Sequence, residues 1–300
     1  KRNGLWNCLM ALPASGTISL NDIKTLFDGV TPINISDYYR GGIYTTPNNL
    51  SVPTSGAISI SNFYGATAEF TATLSSNATN VNLRAVAVSQ GWDQITPLNF
   101  VVASGVYAYS NSTGTAGLIV SGTFANGLKL TNNGFIVGKG GNGGNGGRMA
   151  PFDQYGSIAG SGGSSGGIAL TVLSPLTLYN AGTIGGGGGG GSGGFGGPIG
   201  PPTGFYPTNG GGGGGGQGLG SGGAGVSTGS GWGEGPSDPG TAGTLSAAGS
   251  GGGPNGPAGG TYGVAGGAGG GYGVGAAGPA INGNSYITYA VTGTILGSVS

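Results

Sequence analysis

Histidine is absent from these 300 residues, and Cys8 is the single cysteine. Imidazole and paired thiolates, the usual ligands of zinc and the transition metals, are therefore missing, and no disulfide can form within the chain. Charge is scarce as well. Eight basic and eight acidic residues cancel, and charged residues make up only 5% of the chain. Such a surface has no excess of cations to neutralise a phosphate backbone, which excludes nucleic acid as a partner, and no polybasic patch for an anionic membrane. Long hydrophobic runs are missing too. The best, "GIALTVLSPLTLY", is interrupted by Pro175 and falls short of the roughly 18 to 20 residues that span a bilayer, so membrane insertion is not expected.

Without histidine, a nucleophile would need a base drawn from scattered carboxylates and lysines, none of them paired in a motif. Asp93 and Asp153 could meet in space as a glycosidase-like pair, but turn formation or surface polarity accounts for both. "GKGGNG" from residue 138 satisfies G-x-G-x-x-G, yet no helix pattern follows and no acidic residue stands at the required distance. The chain therefore reads as a non-enzyme, with no catalytic, cofactor-binding or metal-binding residues and no cofactor.

What the chain has in abundance is glycine, 78 residues of it, beside 16 prolines. That composition signals low complexity unless a period is present. A period is present. Gly138, Gly141, Gly144 and Gly147 recur at every third place, as do Gly185, Gly188, Gly191, Gly194, Gly197 and Gly200. A third set holds Gly260, Gly263, Gly266, Gly269, Gly275 and Gly278, broken at Tyr272. The phase shifts between sets, which a collagen strand does not tolerate, so the pattern indicates several short threefold rods joined by turns. Three residues per turn is the period of the polyproline-II helix, which has no internal hydrogen bonds. Ordering a residue costs roughly 1 to 2 kcal/mol, while one hydrogen bond returns about 0.5 to 1.5 kcal/mol. A lone rod would stay disordered, and only a bundle with lateral bonds on several sides would be stable. At about 3.1 Å per residue, the stretch 185–200 would form a rod of roughly 50 Å.

Two other features organise the chain. "PASGTISLN" from Pro13 is echoed by "PTSGAISIS" from Pro53, so residues 1–66 contain a duplicated PxSGxIS motif. In the first copy Asn21 or Ser19 can cap a short helix with Ile23, Leu26 and Phe27 on one face and Gly29 as its stop. The second copy has room for one turn. Met10 begins a stretch that reads as a natural start, with residues 1–9 as an extension. From Glu69 onward "EFTATLSS", "VNLRAVAVSQ", "LNFVVASGVYAYS", "AGLIVSGTF" and "GLKLTNNGFIVG" alternate apolar with polar residues, the pattern of strands. A phrase recurs at "NNGFIVGKGG", "NAGTIGGGGG" and "VTGTILGSVS", a glycine followed two residues later by isoleucine. It suggests strand-like edges where the chain enters or closes a layer.

The expected fold class is mainly β and irregular, in four parts. Residues 1–66 form an attachment module, 67–137 a small all-β domain, 138–280 a bundle of packed polyglycine-II helices with recognition loops, and 281–300 a closing strand segment. Aromatic residues in the glycine region, Phe195, Phe205, Tyr206, Trp232, Tyr262 and Tyr272, either pack as lids over the rods or stand at loop tips, where large rings supply contact area at low entropic cost. "GFYPTN" and "GWGEGPSDPG" interrupt the threefold phase, which makes Phe205, Tyr206, Trp232, Glu234 and Asp238 the receptor-binding candidates.

These phrases also bring a family into view. "MALPASGTISLNDI" and "SGAISISNFYG" resemble the N-terminal modules of bacteriophage tail proteins. "NVNLRAVAVSQGWDQITPLNFVV" through "NNGFIVGKGGNGGNGG", with "NAGTIGGGGGGG" and the ending "GPAINGNSYITYAVTGTILGSVS", resembles the glycine-rich tail fibre and receptor-binding adhesins of bacteriophages. In plan the chain is similar to the tip adhesins of T-even-type long tail fibres. The resemblance implies a virion protein, extracellular, that meets other phage tail proteins through its N-terminal region and a host outer-surface receptor, protein or glycan, through its loops. A homotrimer is compatible with it. The alternatives are a structural fibre spacer with no receptor site, an ice-binding slab, and a polysaccharide depolymerase.

Overall fold

The computed structural model describes residues 11–45, 49–148, 158–196, 198–199, 206–207, 209–226, 236–253, 255–269 and 271–300. It is mainly β, with short helices. Two compact units are present: unit 1 is Lys1–Ala72, Ala87–Asn99 and Phe124–Leu128, and unit 2 is Thr73–Val86, Phe100–Thr123 and Lys129–Ser300.

In unit 1 the duplicated motif folds twice in related ways. Helix α1 (Leu20–Leu26) starts in a capping box, where the Asp22 N–H donates to Ser19 Oγ at 3.2 Å and the Ser19 N–H donates to the Asp22 carboxylate at 2.8 Å. Ser19, not Asn21, is therefore the cap. The second copy repeats the device, with the Ser59 N–H donating to Asn62 Oδ1 at 2.8 Å ahead of a single 3-10 turn, Ile60–Phe63. Each copy's turn is held by a tyrosine from elsewhere in the module. The Tyr64 hydroxyl donates to the Gly16 carbonyl at 2.6 Å, and the Tyr39 hydroxyl donates to the Gly56 carbonyl. Gly16 and Gly56 take φ of 97° and 85°, a region that L side chains avoid, which accounts for the repeated Ser-Gly pair. Ile23, Leu26 and Phe27 from α1 meet Tyr38, Val52 and Phe63 in one apolar core. Its rings of Phe27, Tyr38 and Phe63 lie 6.4 Å from one another, tilted or edge-on, as ring quadrupoles prefer.

Apart from one two-residue antiparallel pair, the strands form parallel sheets rather than hairpins. Strands β1 (Phe70–Leu74), β2 (Ala78–Thr79) and β3 (Val81–Asn82) are followed by β4 (Leu98–Val102), β5 (Tyr107–Tyr109) and β6 (Leu118–Val120). Next come β7 (Leu128–Asn132), β8 (Phe135–Val137), β9 (Gly147–Arg148) and β10 (Leu170–Val172). After them run β11 (Leu176–Asn180), β12 (Thr183–Gly185), β13 (Phe195–Gly196), β14 (Pro198–Ile199), β15 (Tyr206–Pro207) and β16 (Ile281–Asn282), then β17 (Ile287–Val291) and β18 (Thr294–Leu296). The orders β1-β4-β7-β11-β17, β2-β5-β8-β12-β18 and β3-β6-β10-β16 each follow the chain. The chain thus winds as a three-sided parallel coil, each strand stacking on its counterpart one turn earlier.

The recurring glycine-to-isoleucine phrase is the register of one side of this coil. Phe135, Thr183 and Thr294 are paired in a column, followed by Ile136, Ile184 and Ile295. At the corner before them only glycine fits. A Cβ on Gly182 would lie 2.1 Å from the Gly134 carbonyl oxygen, and one on Gly293 would lie 2.1 Å from that of Asn180. One expected strand is corrected. In "VNLRAVAVSQ" only Val81 and Asn82 are extended, and α2 (Leu83–Ser89) follows. Asn82 Oδ1 accepts the Ala85 N–H at 3.0 Å, and the fully buried pair Leu83 and Ala87 is spaced four apart, so capping and helical burial override the partial alternation.

Two turns of the coil are opened between the second and third sides to admit glycine runs. Outgoing runs 138–147, 186–194, 220–226, 249–253 and 264–269 alternate with returning runs 160–167, 209–216, 237–243, 256–260 and 272–278. The central run, 186–194, bonds to neighbours with a period of three. The N–H groups of Gly187, Gly190 and Gly193 donate to Gly167, Ser164 and Ser161, each at 2.9 Å. Those of Gly188, Gly191 and Gly194 donate to Gln217, Gly214 and Gly211 at 2.8–3.0 Å, and those of Gly189 and Ser192 to Val264 and Gly267 at 3.0 and 3.1 Å. Each successive peptide thus serves a different neighbour. The described part of this ladder runs to Gly194, where β13 begins, and Gly197 and Gly200 of the expected rod lie outside the described residues.

Candidate functional site

The hydrogen-bond pattern fixes where the connections between glycine runs lie. Outgoing runs pair in parallel, Gly138 with Gly185 and Gly147 with Gly194, whereas outgoing and returning runs pair antiparallel, Gly188 with Gln217 and Gly194 with Gly211. Outgoing runs therefore finish at one common end of the bundle, and the returning runs start there.

At the opposite end the turns are tied down. The Tyr262 hydroxyl donates to the Leu245 carbonyl at 2.9 Å, and its N–H donates to Gln217 Oε1 at 3.2 Å. Burial pushes the Tyr262 hydroxyl far above the ordinary tyrosine range, so it stays a neutral donor. Lys139 Nζ donates to the Leu219 carbonyl, and burial lowers its pKa. These groups tie the turns of the bundle to one another.

The common outgoing end has a firm base. Strands β9 and β13 pair in parallel, Phe195 against Gly147 and Gly196 against Arg148. Arg148 and Ile158 exchange backbone hydrogen bonds, both at 2.8 Å. The Tyr272 hydroxyl accepts the Gly160 N–H at 3.0 Å, and its ring tilts against Phe195 at 6.2 Å. Both rings thus pack on the runs. Arg148, Asn209 and Val226 are buried beside these strand ends. Arg148 is the largest fully buried side chain among the described residues, and nothing in its local sequence marks it out from a surface cation.

Of the residues singled out from sequence, Asp238 is exposed at the start of a returning run, its carbonyl accepting the Gly212 N–H and its N–H donating to the Gly253 carbonyl, both at 3.1 Å. The backbone of Tyr206 lies in β15, which pairs antiparallel with β14 opposite Ile199. Phe205, Trp232 and Glu234 lie outside the described residues, as does Asp153. Asp93 is a turn former. Its carboxylate accepts the N–H groups of Ile95 and Thr96 at 2.9 and 2.7 Å and the Thr96 hydroxyl at 2.6 Å. No group of three or more histidine, cysteine, aspartate or glutamate side chains that could hold a metal ion occurs among the described residues, and no described helix is long and apolar enough to cross a membrane. Display of chain segments on a rigid base is what this end can do.

No match is found among curated proteins. The crystal structure of the gp37-gp38 adhesin tip complex of the bacteriophage S16 long tail fiber is similar, with 25% sequence identity and a TM-score of 0.52 over 82% of this chain and 88% of that one. The family described as "Phage tail fibre adhesin Gp38" matches residues 69–300. The chain belongs to the phage tail fibre adhesin Gp38 family and is a receptor-binding component of a virion tail fibre.

Proposed function

We propose that host recognition is carried by the segments joining the glycine runs at the Arg148–Phe195 end, and that the runs are a bundle of polyglycine-II helices acting as their rigid stand. The observation that carries this reading is the threefold donation from 186–194, in which consecutive N–H groups turn to three different neighbours. A helix of three residues per turn points successive peptides about 120° apart, and absent side chains let neighbours approach. Strand pairing would instead alternate between two directions.

The recognition segments are those that hold Phe205 with Tyr206 and Trp232 with Glu234, the second leading into Asp238. Aromatic and acidic groups on such segments suit a bacterial outer-surface protein or glycan. Attachment to other tail proteins falls to residues 1–66. That stretch lies ahead of the family match at residue 69 and has its own core from Leu12 to Ala66. The role is binding without catalysis.

Replacing Trp232 by Ala tests the reading. Adsorption of the protein to host cells should weaken, while its melting temperature and its incorporation into particles stay unchanged. Normal adsorption after simultaneous replacement of Phe205, Tyr206, Trp232, Glu234 and Asp238 by Ala would rule these segments out.

A further inference from the structure

We propose that Asn255 is a modification site: its carboxamide closes onto the Gly256 nitrogen and goes on to aspartate and isoaspartate, which gives the turn between runs 249–253 and 256–260 a negative charge as the protein ages. In the first step the Gly256 nitrogen loses its proton and forms a bond to Asn255 Cγ, and the side-chain nitrogen leaves as ammonia. Water then opens the resulting succinimide at either carbonyl. One water is consumed and one ammonia released, and no other reactant is needed. An asparagine ahead of glycine is suited to this closure, because no Cβ on the next residue hinders the approach.

Asn-Gly pairs recur along the chain, and the structure separates them. In run 138–147 both reacting groups are held by one residue opposite. Asn142 Oδ1 accepts the Ser221 N–H at 3.1 Å, while the Gly143 N–H donates to the Ser221 carbonyl at 2.8 Å. Three residues on, Asn145 Oδ1 accepts the Ala224 N–H at 3.0 Å, and the Gly146 N–H donates to the Ala224 carbonyl at 2.9 Å. Closure there requires two bonds between runs to open together. Asn209 is buried, and the Gly210 N–H is tied to the Gly147 carbonyl at 3.0 Å. In the coil the Gly134 N–H is held by Asn132 Oδ1 at 3.2 Å and the Gly283 N–H by the Ser300 carbonyl at 2.8 Å. The Asn126 amide donates to the Ile95 carbonyl at 2.9 Å.

Asn255 differs from all of these. It is exposed, and among the described residues its carboxamide makes no hydrogen bond. Its φ of 61° belongs to a turn, and the Gly256 N–H donates within that turn, to the Gly252 carbonyl at 3.0 Å. Closure at this place opens one local bond and leaves the bonds between runs intact. The product changes the turn in two ways. Asp238 is the last charge in the sequence, so a carboxylate side chain at 255 would be the only one after it. The isoaspartyl form also adds a methylene to the main chain. A Cβ on Gly194 would lie 2.7 Å from the Asn255 carbonyl carbon, so a longer backbone at this turn must move off the central run.

The test ages the full chain at neutral pH and follows two segments that the sequence isolates. Cleavage at Lys139 and Arg148 frees residues 140–148, whose only side-chain amides are Asn142 and Asn145, and cleavage at Asp238 and Tyr262 frees 239–262, with Asn255 alone. Mass spectrometry should show acid accumulating at Asn255 at least about tenfold faster than at Asn142 or Asn145. In denaturant the three should convert alike, since each is followed by glycine. Asn255→Gly, which a positive φ accepts, should remove most of the acidic species that ion exchange resolves from the aged protein. Equal rates in the folded chain, or an acidic species undiminished in the variant, would overturn the proposal. A difference that persisted in denaturant would overturn it as well, because local sequence and not the fold would then set the rate.

Discussion

The side-chain amide of Asn132 donates to Asn180 Oδ1 at 2.7 Å, from one turn of the coil to the next, and both residues are fully buried. The Asn180 amide passes the bond on to the Thr292 carbonyl at 2.7 Å and the Thr294 carbonyl at 3.2 Å. Asn132 Oδ1 in turn accepts the Gly134 N–H at 3.2 Å. This column stands at the corner where the backbone leaves the strand and its carbonyls point inward without a ladder partner. Parallel stacking puts the same residue of each turn at the same height, so one asparagine per turn can satisfy the corner above it.

Replacing Asn180 by Ala should therefore destabilise the coil by about 3 kcal/mol. The carbonyls of Thr292 and Thr294 would lose their donor, the Asn132 amide would lose one of its acceptors, and buried polar groups left without partners cost about 1 to 3 kcal/mol each. Denaturant midpoints of the variant and of Ser165→Ala, an exposed control expected to stay within ~0.5 kcal/mol, would measure it.

How far these features could be read from sequence depends on the distance over which each is determined. Ser19 and Asp22 cap a helix within one turn of chain, so the capping pattern was visible. The phrase linking Gly134, Gly182 and Gly293 was visible as a repeat. What it could not disclose is that the three copies stack in parallel, because β12 and β18 pair across the whole second insertion of glycine runs. Nor does alternation separate a parallel coil from hairpins, or show that Leu83 and Ala87 would meet as i and i+4 on a helix. The glycine phases carry more. The run 138–147 keeps Lys139, Asn142, Asn145 and Arg148 in one of its three phases, and Asn142 and Asn145 are exposed. In 210–216 all three phases are glycine and every residue is buried. The number of glycine phases in a run thus tells on how many sides it is covered. Arg148 departs from this rule: it occupies the open phase and is buried where the outgoing runs finish.

The turn at Asp93 should make unit 1 acid-sensitive in a way that can be assigned. Burial pushes this carboxyl up, but the hydroxyl and N–H of Thr96 and the N–H of Ile95 together outweigh it and hold the pKa below the ordinary value. A carboxyl lowered by folding stabilises the protein above its unfolded pKa, about 3.9, and that contribution fades as pH falls through the folded value. Asp93→Asn has no such titration. The gap in stability between wild type and variant should be constant above about pH 5 and shrink below about pH 4, where denaturation midpoints would follow it.

The tyrosine clamps of the duplicated module should each contribute modestly. Tyr64→Phe and Tyr39→Phe each remove one hydroxyl-to-carbonyl bond on an exposed turn, so each should cost about 0.5 to 1.5 kcal/mol. A loss above about 3 kcal/mol in either variant, measured by denaturant unfolding, would mean that the turn is held by something more than this bond.

The glycine runs allow a sharper test, because two glycines of the same bundle differ in what a methyl group would meet. A Cβ on Gly190 would lie 1.9 Å from the Asn142 carbonyl oxygen, and that atom is backbone held between two runs, so it cannot step aside. A Cβ on Gly273 would meet nothing within 4 Å, although the Gly273 carbonyl accepts the Gly163 N–H at 3.0 Å within the same network. If close approach of backbones is what orders the runs, Gly190→Ala must push them apart and abolish protection of the surrounding amides. Gly273→Ala should be neutral or stabilise by up to about 1 kcal/mol, since alanine has less freedom to lose on folding. Amide exchange separates the cases. Were both variants protected alike, packing would not be specific, and glycine would be present in these runs for flexibility alone.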